Sequence, residues 1–137
     1  MAHIDSVRVR WSEVDPYNHL NHALYLTFFE QARIDALASI GFSMGELQAL
    51  GCQIVVTEVN VKFLKSALGG DDVRIETEMI ETRRVSTSWR QRMYRDDELL
   101  TTIELTAAIT DLDGKPRRLP DGFAEALGTI AGGHVPG

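Results

Sequence analysis

An acid, histidines and an amide side chain crowd into one short run, Asp15-Pro16-Tyr17-Asn18-His19-Leu20-Asn21-His22, just ahead of the apolar stretch Ala23-Leu24-Tyr25-Leu26-Thr27-Phe28-Phe29. Asn21 suits a helix N-cap, because its side-chain oxygen can accept from a first-turn amide. The amides of His22, Ala23 and Leu24 would then lack an intrahelical acceptor and sit at the positive end of the helix dipole. Such an end holds an anion, or polarises a carbonyl whose oxygen gains charge during reaction. Asp15 precedes Pro16, which steers it toward an extended conformation. A carboxylate held on a loop opposite an open helix end can attack an acyl carbon or deprotonate water. The same residues would equally serve an ordinary turn and a cap. What points to chemistry is the pairing of the acid with the helix end.

Other chemistries find little support. The chain has no Gly-x-Ser-x-Gly elbow and no Walker or dinucleotide glycine fingerprint. His19 and His22 come without a matching ligand set, so neither a metal centre nor a cofactor is expected. Cys52 is the single cysteine, which rules out an intrachain disulfide and suits a reducing cytoplasm. At the start of a strand it reads as a small buried hydrophobe. At 137 residues the chain is sized for one domain, expected over 1–130, with a flexible tail at 131–137. A net charge of −6 argues against nucleic acid as partner. The N-terminus has no signal-peptide architecture and no apolar run approaches membrane-spanning length, so no membrane role is expected and the cytoplasm is the expected location.

Periodicity places these residues on elements. Val7-Arg8-Val9-Arg10-Trp11 alternates as a half-buried strand does. From Leu24 to Ile40 the apolar residues Tyr25, Phe28, Phe29, Ala32, Ala36, Leu37 and Ile40 recur at helical spacing, and Gly41 stands at the C-cap. A short helical turn follows from Phe42 to Leu50, capped by Ser43. Beyond Gly51 the signals are β: residues 53–64, alternating from Glu58 onward, then 73–81, 85–94 and 99–110, with turns at Gly69-Gly70-Asp71-Asp72, Arg95-Asp96-Asp97-Glu98 and Asp113-Gly114. A last short helix is expected over 122–127 with Asp121 as cap. One strand, one long helix apolar around much of its circumference, then four antiparallel strands predicts an α+β domain whose curved sheet wraps the helix.

That order of elements, with Trp11-x-x-x-Asp15-x-x-x-His19-x-Asn21-x-x-x-Tyr25-x-x-x-Phe29-Glu30-x-Ala32-Arg33, resembles the hotdog-fold acyl-CoA thioesterases of the 4-hydroxybenzoyl-CoA thioesterase type. The likeness runs from Val7 to about Leu127. It implies a single hotdog fold, a curved antiparallel sheet around a long central helix, hydrolysing a fatty or aromatic acyl-CoA. Asp15 matches the family's catalytic carboxylate, acting as nucleophile or as general base. His22 matches the position whose backbone amide polarises the thioester carbonyl, and its imidazole can assist proton transfer. Asn21 belongs to the loop's His-x-Asn element. Tyr25 matches a tyrosine near the acyl pocket, although a core aromatic would occupy the same place. Phe29 would join the pocket lining, and Arg83 and Arg84 match a basic segment that contacts the nucleotide of coenzyme A. Glu13 replaces the usual first aspartate, and Asn18 replaces a glycine, which asparagine can do because it tolerates positive φ.

Alternatives remain at this point. Glu30 could carry the catalysis from the helix, although an intrahelical or intersubunit pair with Arg33 explains it more simply. The fold could also serve a non-catalytic acyl-CoA or acyl-carrier binding protein, or, with less support, a dehydratase. The resemblance further implies a homodimer or homotetramer, with Asp15 of one chain completed by residues of another.

Overall fold

Alternation and helical spacing resolve into one sheet laid against one long helix. The computed structural model describes residues 1–131, so the tail expected at 131–137 lies outside the described residues apart from Ala131. In chain order the elements are β1 (His3–Arg8), a 3-10 turn (Trp11–Glu13), α1 (His22–Ser39), α2 (Met44–Ala49), β2 (Gln53–Phe63), β3 (Asp72–Thr82), β4 (Ser86–Arg95), β5 (Glu98–Thr110) and α3 (Phe123–Gly128). The strands form one five-stranded sheet in the order β1-β3-β4-β5-β2. Each neighbour pair is antiparallel. β1 and β2 are therefore the edges.

Side chains of alternate residues point to opposite faces of a strand. On β4 the buried set is Thr87, Trp89, Gln91 and Met93, and on β5 it includes Thr101, Ile103, Leu105, Ala107 and Ile109. α1 closes this face with Tyr25, Phe28, Phe29, Ala32, Ala36 and Leu37. Its other side is left open: Leu26 remains 45% exposed. β2 interrupts its pairing with β5 between Val56 and Glu58, which resets the face that each side chain points to. This bulge is why the sequence alternation becomes regular only from Glu58.

The first strand and the last helix cap differ from the sequence reading, and the other element ends shift by only a residue or two. The first strand lies at His3–Arg8 rather than around Val7–Trp11. Its inward positions include the polar His3 and Asp5, which hide it from a hydrophobic pattern, and beyond Val9 the chain turns because Glu13 Oε1 accepts the Arg10 amide at 2.7 Å. The last helix is capped by Gly122 at φ 80°, without a side-chain hydrogen bond, rather than by Asp121.

Candidate active site

The Asp15 loop is closed by its own backbone. Asp15 Oδ1 accepts from the Tyr17 amide at 2.8 Å and from the His19 amide at 3.0 Å. The Asp15 amide donates to the His19 carbonyl at 2.7 Å, and the Asn18 amide to the Asp15 carbonyl at 3.0 Å. Asn18 sits at φ 64°, as its replacement of a glycine requires. The carboxylate is thus clamped through one oxygen, while Oδ2 takes no hydrogen bond among the described residues.

Helix α1 begins where the sequence places its cap. Asn21 Oδ1 accepts from the Ala23 amide at 3.0 Å, and the Asn21 carbonyl accepts from the Leu24 amide at 2.9 Å. The His22 amide has no acceptor among the described residues, so the open end of the dipole lies at this exposed residue. Two contacts set the loop against the rest of the fold. The Leu20 amide donates to the Ala67 carbonyl at 2.8 Å, and the Ala67 amide donates to Tyr25 Oη at 3.0 Å. Tyr25 is buried, its ring edge-on to Phe63 at 5.1 Å, and so supports the loop from beneath. Phe29 is wholly enclosed in the core and offers no surface within one chain.

Arg83 and Arg84 lie elsewhere. They follow the end of β3, whereas the Asp15 loop bridges to Leu68, just before its start. At about 3.3 Å per residue the two ends of β3 are about 30 Å or more apart. Arg83 donates to Glu81 at 2.7 Å and to Ser88 at 2.9 Å, while Arg84 is exposed. One chain therefore does not bring these arginines to Asp15.

A family model described as the thioesterase-like superfamily matches residues 9–127, nearly all of this architecture and all of the loop. The chain belongs to that superfamily. Among its relatives is the acyl-CoA thioester hydrolase YbgC of Escherichia coli O6:H1, 33% identical over 116 residues that make up 83% of this chain and 87% of the relative. A probable thioesterase from Bartonella henselae superposes with a TM-score of 0.83 at 28% identity, covering 88% of this chain and 100% of that one. A DHNA-CoA thioesterase from Staphylococcus aureus does so at 0.87 and 27% identity, covering 94% and 90%. The hotdog fold and the thioesterase class read from the sequence both stand.

Within this thioesterase fold, the Glu-x-Ala-Arg segment is arranged differently from the simple helical pair. Arg33 Nη1 donates to Gln91 Oε1 at 2.9 Å, and Gln91 Nε2 donates to the Phe29 carbonyl at 2.9 Å and to Thr77 Oγ1 at 3.0 Å. Burial pulls the Arg33 guanidinium below its ordinary range, opposed by the nearby Glu30 charge. Glu30 and Arg33 instead line a cleft of about 110 Å³ with Ile34, Leu37, Met44, Ile54 and Val56. The sequence reading missed Gln91, whose signal was a polar residue between Trp89 and Met93 in the buried phase of a strand. Among the described residues no group of His, Cys, Asp and Glu could hold a metal ion, and no helix is long and apolar enough to cross a membrane.

Proposed function

We propose that this chain hydrolyses the thioester of a fatty or aromatic acyl-CoA to the free acid and coenzyme A, with Asp15 as the reacting carboxylate. The observation that carries this reading is the division of labour at Asp15: two amides clamp Oδ1, leaving Oδ2 free on a loop that ends at the open helix terminus. The carbonyl oxygen would take the His22 amide as donor, where developing negative charge is stabilised by a fixed dipole. Oδ2 then adds to the carbonyl carbon and expels the thiolate, leaving a mixed anhydride that water cleaves to the free acid and the Asp15 carboxylate, or it takes a proton from a water that adds to the carbonyl carbon and expels the thiolate directly. In this reading the His22 imidazole donates a proton to the leaving sulfur, and Asn21, as N-cap, fixes where the helix and its open amide begin. The apolar cleft bordered by Ile34, Ile54 and Val56 suits the acyl group.

The site is completed by a second copy of the chain. The inward face of β2 carries Val56, Val59 and Phe63 at 40%, 41% and 53% exposure, beyond the cover of the chain's own helix. Leu26 on the open side of α1 extends that apolar surface. A homodimer covering it, singly or paired into a tetramer, is the route by which Arg83 and Arg84 reach the coenzyme A phosphates. Tyr25 and Phe29 act on the substrate through the loop and the core that they support.

Thiol release from a panel of short, long and aromatic acyl-CoAs, on wild type beside Asp15→Asn, tests the reading. Turnover that collapses in the variant is expected. Acyl-CoA binding without turnover in either protein would leave a binding module, and activity surviving in the variant would move the chemistry to Glu30.

A further inference from the structure

The Asp15 loop has a neighbour on the same chain that the site above does not use. Trp11 is 70% exposed, whereas the chain's other tryptophan, Trp89, is 2% exposed. The Trp11 ring is nevertheless fixed in place. A Cβ added at Gly69 would lie 2.5 Å from Cε3 and 2.6 Å from Cζ3 of the indole, and one at Gly70 would lie 3.2 Å from Cζ2. Gly69 is not among the positive-φ glycines, so its backbone conformation does not demand glycine and the ring bedded on it does. The same added Cβ would be 2.8 Å from Asn18 Oδ1, so Gly69 is wedged between the indole and the reactive loop. One face of Trp11 is backed by peptide, and the ring stays open to solvent on the other.

This ring lines a groove of about 770 Å³ together with Ser6, Val7, Arg8, Arg10, Glu13 and Gly70. Its charges are unequal in availability. Arg8 is held by Asp72 through bonds of 2.9 and 3.3 Å, and the Glu13 carboxylate accepts the Arg10 amide. The Arg10 guanidinium has no partner among the described residues. A rigid aromatic face beside an available guanidinium is the pairing that takes a base and its phosphate together.

We propose that Trp11 and Arg10 form a docking platform for the 3′-phosphoadenosine end of coenzyme A, the adenine stacking on the open indole face and the 3′-phosphate taking the Arg10 guanidinium, which leaves the diphosphate to Arg83 and Arg84. This rests on the acyl-CoA reading above and deepens it: the platform selects coenzyme A over substrates that present only pantetheine. Trp11 and Asp15 are four residues apart, at most about 14 Å between Cα atoms, within reach of the pantetheine arm that joins nucleotide to thioester.

Kinetics with an acyl-CoA and the matching acyl-pantetheine test it in wild type, Trp11→Ala and Arg10→Gln. The kcat/KM ratio of acyl-CoA to acyl-pantetheine should fall about five- to hundred-fold in Trp11→Ala, the measured range for loss of one stacked base. It should fall by a smaller factor in Arg10→Gln. An unchanged ratio overturns the platform, including the case where both substrates suffer equally because the loop has shifted. A greater loss on an acyl-carrier-protein thioester than on acyl-CoA also overturns it, assigning the groove to a protein carrier. Tryptophan fluorescence titrated with adenosine 3′,5′-bisphosphate gives a readout independent of turnover. Saturable quenching in wild type that is absent in Trp11→Phe is expected, and no quenching in wild type overturns the platform. A protein that quenches but hydrolyses nothing would refute the thioesterase reading alone.

Discussion

At Asp15 the loop-closing role of one carboxylate and the chemical role proposed for it can be separated by substitution. Asparagine keeps an Oδ1 that accepts from Tyr17 and His19 but supplies no anionic oxygen. Asp15→Asn should therefore keep its thermal midpoint while turnover falls about 10²- to 10⁴-fold. Asp15→Ala should lose turnover and also about 1–2 kcal/mol of stability in a denaturant melt, because both amides lose their acceptor. A comparable loss of stability in the asparagine variant would show that the charge itself holds the loop. Gly69→Ala addresses the other side of this loop. The new methyl meets the Trp11 ring and the Asn18 amide below 3 Å, and displacing them should cost about 1–3 kcal/mol with a shift in tryptophan emission. The acid, the cap and the open helix end were legible in the sequence because each acts on near neighbours. The Tyr25–Ala67–Leu20 relay and the seating of Trp11 on Gly69 were not, since each joins residues more than forty positions apart.

The elements obey the same division between local and distant causes. Strands β3, β4 and β5 and helix α1 could be read from period alone, since each carries apolar residues on the buried phase. β1 could not, because His3 and Asp5 occupy its inward phase. His3 Nε2 stands 3.4 Å from Asp5 Oδ1, while Asp5 Oδ2 is buried without a partner. Burial pushes the Asp5 carboxyl above its usual range, with Asp35 on α1 adding to the rise and His3 opposing it. A raised carboxyl pKa means that the folded state binds its proton more tightly than the unfolded chain does. The raised pKa therefore costs nothing where both states are protonated, begins to cost stability as the pH rises past the unfolded value, and reaches its full cost above the folded value. Asp5→Asn should raise the thermal midpoint at pH 7, with the gain shrinking as pH falls through the carboxylate range. Gln91 supplies the opposite case, a buried amide fully used in pinning α1 to the sheet. Gln91→Leu removes its bonds to the Phe29 carbonyl and Thr77 and strands the Arg33 guanidinium, so a loss of about 1–3 kcal/mol is expected in urea unfolding.

For the whole molecule the two faces of the sheet make opposite statements about assembly. The outward face carries a ladder of ion pairs, with Glu78 Oε1 3.3 Å from both Arg90 and Arg92 and Arg90 3.5 Å from Glu104. Half-buried pairs of this kind are satisfied in water, and covering them with a second sheet would impose a desolvation cost. The inward face of β2 has no such groups: Val56, Val59 and Phe63 extend past α1, on an edge strand with unpaired backbone groups. Exposed apolar edges invite pairing with another chain, and a charge placed there opposes it. Association should therefore run through β2 and the open side of α1, leaving the ion-pair ladder in solvent. Val59→Lys puts an ammonium at the centre of that surface, at a position exposed in the single chain and so tolerant of the change. Light scattering coupled to size exclusion should report a dimer or tetramer for wild type and the 15.3 kDa single chain for the variant. Turnover should fall with the mass, because Arg83 and Arg84 then remain at the far end of β3 from the only Asp15 available. A monomeric wild type with full activity would overturn both the interface and the shared site. A monomeric variant with full activity would keep the interface and release those arginines from any part in binding.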